Sequence, residues 1–258
     1  MNYFEKLEQN PYEDLKWNIP ERKQGRVNVI GGNGQSFRTP VKVAEFLSAH
    51  YPIETVNLVL PDALQGKLPP VPEVVYLKST EIGSFADGEG ITEAVQEADY
   101  SLLVGDLTKN TTTGRAIASA CENSASPLLI TRDAVDVVAE NMTNLLLMNE
   151  NLVFFASVAQ LVKLLRAAYY PKMLLVSQSL VQVVEVLHKF TLSYPVKIVT
   201  LHNGQVLVAE NGKAVAMPLE KTGYSPLTFW LGEPMAKIVA LNLYNPNNFI
   251  QATIAAIM

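Results

Sequence analysis

Charge is scarce in this chain: Asp, Glu, Lys and Arg make up only 17% of it, and their formal balance is -5. A nucleic-acid partner is therefore excluded from the leading readings, because no broad positive field exists to draw a polyanion. Cysteine is scarcer still. Cys121 stands alone in an alanine-rich helical stretch, so no internal disulfide can form, which fits a reducing, cytoplasmic compartment. The histidines, His50, His188 and His202, are scattered with no cysteine or carboxylate at ligand spacing, so no metal site is expected. No Ser-His-Asp arrangement is suggested either. Long apolar runs are missing too. The greasiest region, Leu152 to Leu192, is interrupted by Lys163, Arg166, Pro171, Lys172 and Glu185, short of the roughly 18 apolar residues that a membrane helix needs. The N-terminus, Met-Asn-Tyr-Phe-Glu-Lys-Leu-Glu, lacks the basic end and apolar run of a signal peptide.

What remains is an apolar chain, 48% hydrophobic over 258 residues, long enough to bury one large α/β core. Residues 1–25 are polar, carry Pro11 and Pro20 and show no sustained period, so they read as an arm that packs on the body or on a neighbouring subunit. Residues 26–258 read as one domain. Strands and helices alternate along it. Val27 to Ile30, Thr55 to Leu60, Val74 to Leu77, Tyr100 to Val104 and Leu128 to Thr131 are apolar runs of strand length. Helices are predicted from Pro40 to His50, around Ile91 to Glu97 and from Thr113 to Glu122, with the proline-rich connection Leu68 to Pro72 between. Near-continuous apolar strands separated by helices predict a mainly parallel sheet covered on both faces.

Val158, Leu161, Val162, Leu165 and Tyr169 recur with helical spacing, as do Leu180, Val183, Val184 and Leu187, and both stripes are expected to face the core. After Pro195 the texture changes. Val196 to Leu201, Gln205 to Ala209 and Lys213 to Met217, separated by Asn203-Gly204 and Asn211-Gly212, predict an antiparallel meander at the edge of the sheet. His202, beside the first of these turns, reads as a hairpin surface residue. A helix from about Gly232 to Leu243 and a final apolar helix close the chain.

The place where an α/β protein usually holds a ligand is residues 26–49, a buried strand, the turn Gly31-Gly32-Asn33-Gly34 and a helix with Pro40 in its first turn. Glycines let a polyanion approach the backbone, and a helix start offers unpaired N–H groups. The third glycine of the dinucleotide fingerprint is absent, as is any Gly-x4-Gly-Lys-Ser/Thr loop. The turn therefore reads either as a phosphate cradle or as a tight βα connection.

Taken in order, these segments resemble the ATP- or ADP-dependent NAD(P)H-hydrate dehydratases, a family with the ribokinase-like fold, over about residues 20–250. Pro20 to Asn33 is similar to the family's first strand and Gly-Gly-Ser turn. Ala98 to Gly105 is similar to the segment ending in Val-Gly-Pro-Gly-Leu-Gly, and Pro127 to Val135 to Pro-Leu-Val-Leu-Asp-Ala-Asp-Ala-Leu. The meander and the stretch from Leu227 to Asn242 also match in pattern. The resemblance implies a three-layer α/β/α architecture with a mainly parallel central sheet and an antiparallel C-terminal edge. It also implies a homo-oligomer, a nucleotide or nicotinamide ligand, and ADP or ATP with Mg as cofactor. Carried over by position, Gly31, Gly32, Asn33, Gly105, Asp133, Gly223 and Ser225 are the candidate binding residues, and Thr228 falls where the family has its catalytic aspartate.

The chemistry departs from the pattern there. Ser225-Pro226-Leu227-Thr228 replaces Gly-Thr-Gly-Asp, Ser157 to Gln160 replaces His-Pro-Gly-Glu, and Val104-Gly105-Asp106-Leu107 replaces the glycine-rich turn. Pro226 removes a backbone N–H. A threonine hydroxyl cannot act as a base unaided, whereas such help is worth roughly 10²- to 10⁴-fold in rate. For Asp133 and Thr228 the competing reading is a helix N-cap, on the helices starting near Ala134 and Gly232. Three functions follow from these readings. One is a nucleotide- or metabolite-binding protein with lost or altered catalysis, the second an active repair lyase, and the third a structural or assembly subunit that keeps only the fold. A cleft filled by Tyr224, Phe229 or Trp230 would favour the last.

Overall fold

The computed structural model describes residues 3–68, 73–143 and 145–258. Among them, apolar runs bounded by turn residues form a ten-stranded sheet in the order β1-β10-β9-β8-β7-β6-β5-β2-β3-β4. The strands are β1 (Phe4–Lys6), β2 (Arg26–Gly31), β3 (Thr55–Pro61), β4 (Val74–Leu77), β5 (Tyr100–Gly105), β6 (Leu128–Thr131), β7 (Leu152–Phe155), β8 (Lys197–His202), β9 (Gln205–Glu210) and β10 (Lys213–Pro218). From β4 to β8 every neighbouring pair is parallel, while β8, β9 and β10 form the antiparallel meander. At both meander turns Asn and Gly take positive φ, 48° and 70° at Asn203-Gly204 and 47° and 73° at Asn211-Gly212, the conformation that a two-residue right-twisted hairpin requires.

Alternation along the strands sorts side chains into two layers. Val27, Val29, Leu102 and Val104 pack with α1 (Arg38–His50), α7 (Gly232–Tyr244) and α8 (Phe249–Ile257). Ile30, Leu103, Leu128 and Ile130 pack with α2 (Gly88–Gln96), α3 (Thr111–Glu122), α4 (Asp133–Glu140), α5 (Val158–Ala167) and α6 (Leu180–Ser193). Buried on both faces, the inner parallel strands β2, β3, β5, β6 and β7 read as near-continuous apolar runs, while β4 at the edge is only partly buried. The expected three-layer α/β/α architecture is the one observed. No helix among the described residues is long and apolar enough to cross a membrane. The connection Pro69 to Pro72 lies outside the described residues.

Two local readings are corrected, and one element is added: Leu152–Phe155, β7, is a strand whose four apolar residues carry no period of their own. Tyr169 does not continue the core stripe. The helix α5 ends in a Schellman motif, with the N–H of Tyr170 donating to Leu165 O and that of Tyr169 to Arg166 O. Tyr169, at φ 51°, is thereby turned outward and is 89% exposed. His202 is buried rather than on the hairpin surface, its Nε2 bonded to Gln178 O at 2.8 Å. The arm is also partly regular: β1 pairs parallel to β10, and Tyr3 stacks on His188.

Ser157 and Ser179 open α5 and α6 with reciprocal capping boxes to Gln160 and Gln182. Each serine hydroxyl satisfies an N–H that has no partner within the helix. Ser179→Ala is expected to lower stability by about 1 kcal/mol, read as a shift in the urea midpoint with an unchanged slope.

Candidate functional site

The parallel strands β2, β5, β6 and β7 end side by side, so the sheet brings Gly31, Gly32, Asn33, Gly105 and Asp133 together at its carboxyl edge, where open α/β sheets hold ligands. Gly31 and Gly105 are partners in register. A side chain at Gly31 would put its Cβ 2.6 Å from Gly105 O, so glycine is required for the strands to approach.

Backbone donors at this edge are already engaged within the chain. In the glycine turn, Gly32 N–H donates to Gly105 O, Asn33 N–H to Ser36 O and Gly34 N–H to Gly83 O. Gln35 and Ser36 N–H donate to Asn33 Oδ1, whose amide donates in turn to Asp106 O. At the end of β5 the backbone turns through two positive φ values, 101° at Gly105 and 55° at Asp106. Successive N–H groups then point to one side, the geometry of an anion nest. The anion in that nest is Asp133: its Oδ1 accepts from Asp106 N–H and its Oδ2 from Leu107 N–H, both at 2.8 Å. Burial raises the Asp133 carboxyl above the usual range, and the two N–H bonds oppose that rise. Asp133 is the first residue of α4, whose N-cap is Arg132. Its carboxylate therefore ties β5 to β6 instead of capping its own helix, as had been the competing reading.

The start of α1 is covered in the same manner. Asp106 Oδ2 accepts from Thr39 N–H at 3.4 Å, and Asp106 Oδ1 pairs with Arg132 Nη2 at 3.0 Å. Arg132 itself sits at φ 55°, held by Gln160 Nε2 on its carbonyl at 2.6 Å. The Ser157–Gln160 segment is thus part of the support of this edge, and the Ser-x-x-Gln spacing was the signal that could have found it.

Gly223, Ser225 and Thr228 lie apart, in the turn between β10 and α7. Ser225 and Thr228 bond each other four ways: Ser225 N–H to Thr228 Oγ1, Thr228 N–H to Ser225 Oγ, hydroxyl to hydroxyl, and Thr228 Oγ1 to Ser225 O. Phe229, Trp230 and Leu231 N–H donate back to Ser225, Leu227 and Thr228 carbonyls. Thr228 does not cap α7, whose N-cap is Leu231 with no side-chain bond. Glu233 occupies the first turn of α7, held below the usual carboxylate range by Lys237 and bonded by Tyr224 Oη at 2.9 Å. Phe229 is fully buried, its ring 5.1 Å from that of Phe155 at the end of β7, with Trp230 also against Phe155. Phe155, Phe229 and Trp230 thus form one aromatic cluster at the end of β7. Gly223 takes φ 73° with open space around it. Cavities of about 670 Å³, between α2 and α3, and about 370 Å³, beside the C-terminal end of α7, open elsewhere. No group of three or more potential metal ligands occurs among the described residues.

No protein-family model matches the chain. No curated protein matches it in sequence. Its fold is similar to that of a ribokinase-like superfamily protein of Enterococcus faecalis, at 17% identity and a TM-score of 0.67, over 99% of this chain and 85% of that one. It is similar also to Bacillus subtilis YxkO, a member of the UPF0031 family, at 14% identity and a TM-score of 0.58, over 97% and 86% of the two chains. Hydroxyethylthiazole kinase of Pyrococcus horikoshii matches at 13% identity and a TM-score of 0.55, over 95% and 80%. The chain has the ribokinase-like α/β fold. At such identities the likeness carries architecture, and the site must speak for the chemistry.

Proposed function

We propose that this chain is a non-catalytic protein on the ribokinase-like scaffold that works by association rather than by turnover. The supporting observation is the accounting of donors: the glycine turn, the end of β5 and the Ser225–Thr228 turn spend their N–H groups on the chain's own carbonyls, hydroxyls and carboxylates. A phosphate arriving there must displace Asp133 or open a closed turn. Thr228 itself offers no carboxylate to act as a base, and its hydroxyl is engaged by Ser225. The threonine at position 228, where the resembled family has its aspartate, argues against activity as an ATP- or ADP-dependent NAD(P)H-hydrate dehydratase. The partner in this reading is a further copy of the chain. Tyr169, Met173 and Val176, exposed between α5 and α6, supply apolar contact surface.

A second reading, a nucleotide- or nicotinamide-binding protein without catalysis, is favoured by one feature. Arg132 Nε and Thr131 Oγ1 are buried without a partner among the described residues, and a guanidinium can exchange a carboxylate for a phosphate. Thermal-shift titration with ATP, ADP, AMP, NAD and NADPH, with and without magnesium, separates the two. Binding to the native state alone stabilises by about 2.7 kcal/mol at a hundredfold excess over Kd. Flat curves, no consumption of NADPH hydrate and an oligomer by light scattering are the expected results. A saturable shift without turnover selects the second reading, and turnover defeats both. Thr228→Asp is expected to stay inactive, since Pro226 and the aromatic cluster of Phe155, Phe229 and Trp230 remain.

A further inference from the structure

The two outer strands of the sheet are finished differently. Among the described residues β1 pairs with β10 alone and β4 with β3 alone, so each leaves a row of unmatched backbone groups, a template for another strand. At β1 that row runs beside the exposed Glu5 and Lys6, charges of the kind that keep edges apart. β4 has no such protection. Its residues are Val74, Val75, Tyr76 and Leu77, and Val75 is 42% exposed.

Register fixes which groups are free. Leu58 N–H donates to Glu73 O, and Leu58, Val59 and Leu60 stand beside Val74, Val75 and Tyr76. In a parallel ladder that pattern turns the N–H and C=O of Val75 toward β3 and those of Val74 and Tyr76 outward. At Lys78 the outer side is already taken, because its carbonyl accepts from Ala86 N–H. The free edge therefore offers a donor and an acceptor on Val74 and again on Tyr76. An antiparallel copy of the same strand satisfies all of them at once. With Val75 facing Val75 across a two-fold axis, Val74 of each chain exchanges both bonds with Tyr76 of the other. A slip toward the end of the strand would set Val74 against Lys78, whose carbonyl is spent. Charge agrees with the direction. Glu73 and Lys78 flank the strand, and antiparallel pairing brings the carboxylate of one chain to the end that carries the ammonium of the other, where a parallel copy would bring like charges together.

We propose that the chain self-associates edge to edge through β4, Val75 against Val75, so that the sheets of two copies run on as one. The pairing rests on the partner of the association reading, a further copy of the chain, and places it on a surface separate from Tyr169, Met173 and Val176. The contact is short, so the dimer is a weak one that dilution takes apart. Light scattering and hydrogen exchange of the full-length protein, from micromolar to millimolar concentration, are the measurements. The amides of Val74 and Tyr76 are expected to exchange more slowly at millimolar concentration, in step with a rise in mass. Val75→Lys, at an exposed side chain, is expected to raise the dissociation constant at least about tenfold and to free both amides, since like charges then face each other across the axis. Val75→Thr, β-branched and uncharged, is expected to keep the dimer. An oligomer whose Val74 and Tyr76 amides exchange freely, or whose dissociation constant Val75→Lys leaves unchanged, would overturn the pairing and leave the association reading standing. A monomer at millimolar concentration would overturn both. Slow exchange of both amides in the monomer would also overturn the pairing, because the chain would then cover its own edge.

Discussion

Gly105→Ala is expected to remove a large part of the protein's stability. At Gly105 the backbone has φ 101°, and an added Cβ would stand 2.0 Å from Asp133 Oδ1. Relief by side-chain movement is closed off, because the obstructing atom is the acceptor that satisfies Asp106 N–H, with Leu107 N–H on its companion oxygen. Driving Asp133 away leaves two donors unpaired, at about 1–3 kcal/mol each. The positive φ adds about 1–3 kcal/mol of strain for a residue with a side chain. The sum, about 3–9 kcal/mol, compares with a total stability of about 5–15 kcal/mol for a folded domain. Guanidinium denaturation should show a large drop in midpoint or no cooperative transition. A drop under about 1 kcal/mol would mean that the Asp133 nest contributes little to the fold. Asp133→Asn should be milder, since one of its two N–H contacts remains. Asp133 has a raised folded pKa, so the native state holds its proton to higher pH than the unfolded chain does. Its contribution is full below the ordinary aspartate value and is lost as pH rises through the raised one. The asparagine variant should remove that decline from the stability profile.

These particulars show what a linear reading can reach. The strands β2, β3, β5 and β6 are legible because burial on both faces makes each a largely apolar block, and the meander is legible because Asn-Gly is nearly a direct statement of backbone conformation. The nest at Gly105 and Asp106 is not, since an aspartate and an arginine at positive φ leave no trace in composition. Asp133 and Thr228 were both open to a helix-cap reading, and each satisfies a neighbouring segment instead, which depends on contacts across 26 to 27 residues for Asp133. His202 followed the local rule for a residue beside a turn, and was overruled by Gln178, which covers it from the start of α6. Local chemistry names what a residue can do. The tertiary partner decides which of those things it does.

Phe229→Ala is expected to cost about 3–5 kcal/mol, the usual range for deleting a buried phenylalanine ring. Phe229 is fully buried and meets Phe155 and Trp230, with centroids 5.1 and 5.2 Å away. The two neighbouring rings also touch each other, so the hole cannot be filled by a simple slide of one of them. For a chain of this size the loss corresponds to a fall in Tm of about 10 °C. The same substitution also tests the function. It opens the space beside β7, but leaves Thr228 where a base would be needed and Pro226 without an N–H. A destabilised protein without NADPH-hydrate turnover is the result expected from an aromatic cluster that serves the fold. A near-neutral effect on stability, with tighter nucleotide binding, would instead make the Tyr224–Leu231 turn a movable cover over a working site, and the association reading would fall.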